Sequence, residues 1–242
     1  MSKIRDALKN NRLLMLIFGP PGSGKGSFGR QLASDYGLCH LVTGDLLRRE
    51  VTKQSSVGHR VGDDISRGLY VDDVLVCDIV RNNIKSRSGG FVLDGCPRTQ
   101  MQASFVKSLA TSQNFSLLGV QLDMDRSVLI ERLLGRRVCS VCNRTYNVCQ
   151  IDHGEYRMNA LLPSKDDIEK CKGCLDLKPR DDDNMDVITQ RLKVYDSTHQ
   201  EVVASLKGVS FMHFAIRRGM DDYHLFKDQL DLFLGKQLTG GV

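Results

Sequence analysis

A glycine-rich segment near the start of the chain, GPPGSGKGS at 19–27, carries the first residues whose types and spacing suggest chemistry. It follows an apolar run at 13–18 and precedes an amphipathic stretch, so it would join a buried strand to a helix. The segment fits the pattern G-x-x-x-x-G-K, except that one further glycine separates Lys25 from Ser27.

Backbone N–H groups in such a loop turn toward a polyphosphate, and the positive end of the following helix adds to the attraction. Lys25 would reach the β and γ phosphates, while Ser27 would face the α phosphate or a magnesium shell. The alternative is a glycine-rich turn without a ligand, but the strand and the helix stand where the motif requires them. The predicted triphosphate-binding residues are Gly22, Ser23, Gly24, Lys25, Gly26 and Ser27.

Four of the eight cysteines form two C-x-x-C pairs, at 139–142 and 171–174, a pattern typical of tetrahedral zinc sites. The 28 intervening residues exceed the common spacing of about 15–20, so Cys149 and His153 are alternative ligands. A disulfide pair and unliganded thiols also stay open. Because four thiolates leave no coordination position free, the metal would hold structure rather than do chemistry. The predicted ligands are Cys139, Cys142, Cys171 and Cys174.

Short apolar runs alternate with amphipathic stretches along most of the chain, which predicts a parallel sheet covered on both faces. The polar, turn-rich segment 137–179 lacks a long period and is predicted to be an inserted lobe. The predicted strands are 13–18, 38–42, 91–94, 116–122 and 209–215. The predicted helices are 27–35, 45–54, 72–85, 125–134, 185–206 and 221–234.

The chain has 242 residues, a net charge of +5 and a pI of about 8.8. This balance suits a phosphate-bearing ligand but lies below the pI of about 9 that would indicate nucleic-acid binding. Nucleic acid is therefore not predicted as a partner. A membrane is not predicted either, because no apolar run approaches the roughly 18 residues of a membrane span. The first residues lack a secretory signal, which favours the cytoplasm. Arg5, Lys9 and Arg12 leave a mitochondrial location as the alternative.

Three further stretches appear in order, TGDLLRRE at 43–50, DGCPRTQMQA at 94–103 and GRRVCSVC at 135–142. Together with the glycine-rich loop they resemble the adenylate kinases, within the nucleoside monophosphate kinase family, over about residues 13–235. The resemblance implies an α/β three-layer sandwich of the P-loop NTPase type, with a central parallel five-stranded sheet, a small helical acceptor lobe and an inserted, zinc-binding lid. The implied ranges are 1–42, 73–134 and 180–242 for the core, 43–72 for the acceptor lobe and 135–179 for the lid.

Phosphoryl transfer depends on positioning and charge neutralisation, and arginine binds phosphate with two parallel hydrogen bonds. By resemblance, Asp94 would order the magnesium water shell, Arg132 would lie against the donor base, and Asp182 and Asp183 would join the network that closes the lid. The implied catalytic residues are Lys25, Asp94, Arg98, Arg136, Arg180 and Arg191, of which Arg136 also binds the triphosphate. The implied AMP contacts are Thr43, Gly44, Arg48, Val71, Gly95, Arg98, Gln102, Arg180 and Arg191.

Alternatives exist for single residues of this set. Asp94 ends a predicted strand and would otherwise cap a helix, and Arg191 would otherwise be an exposed charge on its helix. Cys96 stands where the family commonly has an aromatic residue, and we expect it to be a buried small side chain.

The predicted reaction is reversible, magnesium-dependent, direct in-line transfer, ATP + AMP ⇌ 2 ADP, by a monomer. A GTP:AMP phosphotransferase is the alternative within the class, since the donor base contacts cannot be assigned from the sequence. A UMP/CMP kinase is less favoured, because Thr43 and Gln102 match the adenine-binding pattern. Outside the class, the alternatives are a catalytically inactive nucleotide-binding module and a zinc-dependent nucleic-acid binder, which turnover and salt-sensitive binding would distinguish.

Overall fold

The structure, a computed structural model, describes residues 12–238. Five strands form one sheet in which all neighbouring pairs are parallel. They are β1 (Arg12–Phe18), β2 (Cys39–Val42), β3 (Phe91–Asp94), β4 (Phe115–Asp123) and β10 (Ser210–Ala215). Their order across the sheet is β10-β4-β1-β3-β2, which confirms the predicted central parallel sheet.

Eight helices accompany this sheet in the described part of the chain, and two of them, at 56–66 and 100–112, were not predicted. Helix α3 contains Gly58 and Gly62, which lower helix propensity, but Val61 is only 1% exposed and tertiary packing holds the helix. The helices are α1 (Lys25–Tyr36), α2 (Thr43–Thr52), α3 (Ser56–Ser66), α4 (Asp73–Lys85), α5 (Gln100–Ser112), α6 (Arg126–Leu134), α8 (Met185–Ser205) and α9 (Tyr223–Leu238).

The two faces of the sheet bury separate apolar clusters, because side chains alternate along each strand. Leu13 and Met15 of β1 pack with α1 and α9, whereas Leu14 and Leu16 pack with α4, α5 and α8. The helices therefore cover both faces, and the three-layer α/β sandwich is confirmed.

The segment between α6 and α8 forms its own small elements. Tyr146 packs with two of the paired cysteines in a separate cluster, whereas Ile151, Tyr156 and Met158 belong to the α1 and α9 side of the main core. The elements are β5 (Arg136–Cys139), β6 (Thr145–Asn147), β7 (Ile151–His153), β8 (Tyr156–Met158), α7 (Lys165–Lys170) and β9 (Leu177–Lys178). Strands β6, β5 and β9 form one antiparallel sheet, and β7 and β8 form a hairpin. The lobe boundaries given above stay a prediction.

Two predictions from the sequence concern the location of the protein: the basic residues near its start, and the lack of a membrane span. Arg5 and Lys9, which carry the mitochondrial alternative, lie outside the described residues, while Arg12 begins β1. Within residues 12–238, no helix has the length and apolar composition needed to cross a membrane.

Candidate active site

The main cavity lies where β1 and β3 end, at the carboxyl edge of the parallel sheet, which is the usual ligand position in such folds. Its wall contains most of the predicted nucleotide-binding residues, although they are far apart in sequence. Ser23 is the exception, because it is fully buried behind the loop. The predicted residues on the wall are Gly22, Gly24, Lys25, Gly26, Ser27, Thr43, Gly44, Arg48, Val71, Asp94, Gly95, Arg98, Gln102, Arg132, Arg136, Arg180 and Arg191.

The glycine-rich loop joins β1 to α1, which begins at Lys25, two residues earlier than predicted. Gly22 has a φ of 90°, and a Cβ there would lie 2.9 Å from the Leu129 carbonyl oxygen, so both the turn and the close approach require glycine. Gly24 precedes the helix with a φ of 93°. The Ser23 hydroxyl is buried and has no hydrogen-bond partner within the described chain.

The Lys25 side chain is held inside this loop by hydrogen bonds to the loop backbone. Its Nζ donates hydrogen bonds to the carbonyl oxygens of Gly19 at 2.7 Å and Pro20 at 2.8 Å. Burial lowers the pKa of Lys25 to about 7, although the negative charge of Asp94 opposes the shift. Arg98 and Arg191 lower it further, so several cationic groups converge on one point.

Asp94 ends β3 and is 5% exposed. Its Oδ2 lies 3.7 Å from Nε2 of His40 on the neighbouring strand β2. Burial alone would raise the pKa of Asp94, but His40 and the charge of Lys25 outweigh burial and lower it. The alternative role as a helix N-cap is wrong, because Thr99 caps α5 by accepting a hydrogen bond from the Gln102 backbone N–H at 3.2 Å. Asp94 is therefore an ionised carboxylate inside the cavity.

Three arginines and two aspartates form a compact network where β5 meets the start of α8. Arg136 Nε donates to Asp183 Oδ2 at 2.5 Å and contacts the second oxygen as well. Arg180 donates to both oxygens of Asp182, at 2.9 and 2.7 Å. Arg191 Nη1 lies 3.1 Å from Asp183 Oδ1 and 3.3 Å from Asp182 Oδ2.

This network is well shielded from solvent. The Asp183 side chain is 1% exposed and the Arg191 side chain 17% exposed, so the alternative of an exposed charge at Arg191 is wrong. Burial, and the neighbouring Arg136, lower the pKa of Arg191 to about 9. Burial and Arg180 also lower the pKa of Arg136. These cations lack full compensation, and they can accept further negative charge from a ligand.

The predicted acceptor side contains one unsatisfied polar group. Thr43 begins α2 and is 2% exposed, and its hydroxyl faces no hydrogen-bond partner in the described chain. Arg48, on the same helix, contacts Asp45. Arg98 lies 5.5 Å from the ring centre of Tyr70, a cation–π contact. Val71 is 7% exposed beside them.

Gln102 is buried and already has partners at both ends of its amide. Its Oε1 accepts a hydrogen bond from the Arg98 backbone N–H at 2.9 Å, and its Nε2 donates to Asp73 Oδ1 at 2.7 Å. Asp73 also accepts from the Thr99 hydroxyl at 2.8 Å. Asp73 was not among the predicted site residues, although the acidic pair that follows Val71 at the start of α4 was a visible signal.

Two other parts of the cavity wall were also missed. Tyr195 and His199 stack on one face of α8 with ring centres 4.7 Å apart, and both reach the cavity. Helical spacing alone could have placed them on one face, but nothing in their types pointed to this site. Cys96 is 3% exposed, as expected for a small buried side chain.

The four paired cysteines lie together in one cluster, which does not itself line the cavity but contacts the wall residue Tyr146 through Cys174. Their sulfur atoms all lie within 4.8 Å of one another, with 3.8 Å between Cys139 and Cys171 and 3.6 Å between Cys142 and Cys174. Tetrahedral zinc with Zn–S bonds of about 2.3 Å places sulfurs about 3.8 Å apart, so this four-cysteine cluster fits the ion.

The other residues considered for this metal lie elsewhere. Cys149 packs at the edge of the main core, and His153 lies 2.9 Å from Glu131 on α6. All eight cysteines are free thiols. The four-cysteine cluster is therefore the arrangement that the described residues offer to a metal.

Comparison with known proteins agrees with this geometry. The sequence profile of the family "Adenylate kinase" matches residues 17–210. A GTP:AMP phosphotransferase of Plasmodium falciparum is 36% identical over 218 residues, covering 88% of this chain and 93% of the relative. An adenylate kinase of Thermotoga neapolitana is 35% identical and covers 78% and 83%, and one of Malacoplasma penetrans is 33% identical and covers 92% and 96%. The chain belongs to the adenylate kinase family.

Proposed function

We propose that the protein transfers a phosphoryl group reversibly from a nucleoside triphosphate to AMP, ATP + AMP ⇌ 2 ADP, with magnesium and by direct in-line displacement. One observation carries the proposal. Lys25 of the phosphate loop feels the charges of Arg98, Arg136 and Arg191, which come from three other parts of the chain. This convergence suits a reaction in which two phosphate chains meet, and a single bound nucleotide would not need it.

The two halves of the cavity would hold the two substrates. The phosphate loop would bind the triphosphate through its N–H groups and Lys25, and Thr43 with Gln102 would bind the acceptor adenine. Thr43 supports this role because its hydroxyl is buried and lacks a partner within the described residues. Arg48 and Arg98 would hold the acceptor phosphate, in the places where Gly44 and Gly95 bring the backbone close to their guanidinium groups.

The arginine network would stabilise the charge that develops during transfer. Arg136, Arg180 and Arg191 are preorganised by Asp182 and Asp183, so little rearrangement is needed when the phosphoryl group arrives. Ser27 and Asp94 are the oxygen groups that would hold magnesium, directly or through water, and the ion would neutralise phosphate charge. No covalent intermediate is proposed, since direct transfer between the two nucleotides needs no nucleophile from the protein.

Movement of two lobes would protect the reaction from water. We propose that residues 43–72 close over the acceptor and that residues 135–179, apart from the hairpin at 151–158 that packs on the main core, close over the donor, on a core formed by 1–42, 73–134 and 180–242. Closure matters because water would otherwise accept the phosphoryl group. Zinc on the four-cysteine cluster would fix the shape of the closing lobe. We also propose a cytoplasmic monomer, with no nucleic acid or membrane as partner.

GTP is a second candidate donor. The Plasmodium falciparum relative is named a GTP:AMP phosphotransferase and covers 88% of this chain, whereas the other two relatives are named adenylate kinases. The phosphate and acceptor contacts proposed above would be the same for both donors. ATP is the donor that we propose first, and rates with each donor decide between them.

Substitution of two cavity residues tests the proposal. Lys25→Met and Arg98→Met should each lower kcat/KM by at least about 10³-fold, because each removes a positive charge that would stabilise the reacting phosphates. The far-ultraviolet circular dichroism of both variants should match the wild type. Lys107→Met is the matched control, since Lys107 is a half-buried lysine of α5 that does not line the cavity, and it should keep wild-type turnover. Full activity of either test variant would contradict the site assignment.

A further inference from the structure

The hairpin formed by β7 and β8, residues 151–158, lies within the predicted lid but packs on the main core. Ile151, Tyr156 and Met158 are 1%, 3% and 1% exposed in the apolar cluster of α1 and α9. The part of the lid around the four-cysteine cluster keeps its own apolar core. The inserted segment thus has two parts, one packed on the main core and one with an apolar core of its own.

Polar contacts fasten the hairpin to two core segments. At the start of α6, the Asp125 backbone N–H donates to the Tyr156 hydroxyl at 2.9 Å. After β10, Arg217 donates to the same hydroxyl at 2.9 Å, and its carbonyl oxygen accepts from the Arg157 backbone N–H at 3.0 Å. A hydrogen bond of 3.1 Å from Asn159 to Asp221 follows. The hairpin therefore bridges α6 and the segment after β10.

Arg132 lies at the centre of this bridge. Its Nε donates to the Gly22 carbonyl oxygen of the phosphate loop at 3.0 Å, and its backbone carbonyl accepts from Asn147 at 2.7 Å. Its Nη1 lies 3.2 Å from the Met158 sulfur. A Cβ on Gly219 would lie 3.7 Å from Met158 and 3.8 Å from the same Nη1, so the segment after β10 also packs against the Arg132 guanidinium.

The Met158 sulfur can do more than fill space, because it can accept a hydrogen bond. A buried guanidinium has five N–H donors and is costly to leave without acceptors, and a thioether sulfur is a weak acceptor that packs like an aliphatic chain. Met158 therefore supports one edge of Arg132, while the phosphate loop supports another.

We propose that Met158 is a positioning residue for the donor nucleotide, holding the Arg132 guanidinium against the phosphate loop from the core-bound hairpin. The proposal rests on the proposed function, because Arg132 faces the donor half of the cavity only if that function holds. The donor would meet an arginine whose place is set before binding, and the acceptor half would not depend on Met158.

Steady-state kinetics with ATP and AMP varied in turn test the proposal. Met158→Leu keeps the volume and removes the sulfur, so the donor KM should rise about threefold, and Met158→Ala, which also removes packing, should raise it about tenfold. The KM for AMP and kcat should stay within about twofold. Met212→Leu is the matched control, since Met212 is also buried in this cluster but lies on β10, and it should keep all three constants.

The outcomes separate this inference from the proposed function. An unchanged donor KM in Met158→Leu would overturn the positioning role, and so would an AMP KM that rises in parallel. Should the wild type itself make no ADP, the proposed function fails. Titration calorimetry with ATP on the same three variants then tests Met158, and an ATP affinity equal to that of the wild type in Met158→Leu would overturn the inference.

Discussion

The Asp183→Asn substitution tests the arginine network in a way that separates its structural and functional parts. Asp183 accepts from Arg136 at both oxygens and lies 3.1 Å from Arg191. The asparagine keeps the size of the side chain but removes its charge and turns an amide N–H₂ toward a guanidinium. Two cations are then left without their shared counter-charge.

The magnitude follows from the burial of the three groups. Side-chain exposure is 1% for Asp183, 14% for Arg136 and 17% for Arg191, so solvent screens the loss poorly. Removing one partner of a buried ion pair costs about 3–5 kcal/mol, and we expect about 3 because Asp182 still compensates Arg191. For a chain of this length, about 3 kcal/mol corresponds to a fall in Tm of roughly 6–12 °C.

Ligand should then recover part of the loss. Phosphate groups in the cavity would supply the missing negative charge, so the difference in Tm between variant and wild type should at least halve in saturating ADP with Mg²⁺. Turnover should still fall, because the arginines lose the carboxylate that orients them. Thermal unfolding followed by circular dichroism, with zinc supplied throughout, measures both differences.

The neighbouring Asp181 provides the matched control, because its side chain is exposed and Asp181→Asn should shift Tm by less than about 1 °C. A Tm shift of less than about 2 °C for Asp183→Asn would contradict this expectation and mean that the buried pair contributes little. A shift that is the same with and without ADP would also contradict it, since the arginines would then not face the ligand.

Three further expectations can be checked independently. Metal analysis should find one zinc per chain, which Cys142→Ser loses and Cys149→Ser retains; zinc that persists in Cys142→Ser would exclude the four-cysteine cluster as its site. Because the pKa of Lys25 is about 7 in the free protein and bound phosphates would raise it, ATP binding at pH 8 should take up close to one proton. Calorimetry in buffers of different ionisation enthalpy measures this uptake, and Lys25→Met should abolish it. Asp73→Ala leaves the buried Gln102 amide unpaired, so the free energy of unfolding should fall by about 1–3 kcal/mol and KM should rise for AMP but not for the donor.

Much of the core was predictable because its signals are local. The central strands β1 and β3 are buried on both faces, so they appear as short apolar runs, and all five predicted strands match the observed strands to within two residues. The phosphate loop was equally predictable, since Gly22 and Gly24 occupy backbone conformations that only glycine adopts easily.

The parts that escaped prediction depend on contacts between distant residues. Helix α3 has two internal glycines, and only the burial of Val61 reveals why it forms. The strands of the β7–β8 hairpin have three residues each, too few for a period to show. The pairing of Gln102 with Asp73 joins residues 29 positions apart, which no spacing rule indicates.

The most direct test of the central claim is product formation by the purified, zinc-loaded protein with Mg²⁺, AMP and either ATP or GTP, followed by chromatography of the nucleotides. With ATP, we expect two ADP for each ATP consumed and no free phosphate, because transfer goes to AMP and not to water. Preference for GTP would keep the site and change the donor. No ADP with either donor, from protein shown to be folded, would contradict the proposed phosphoryl transfer.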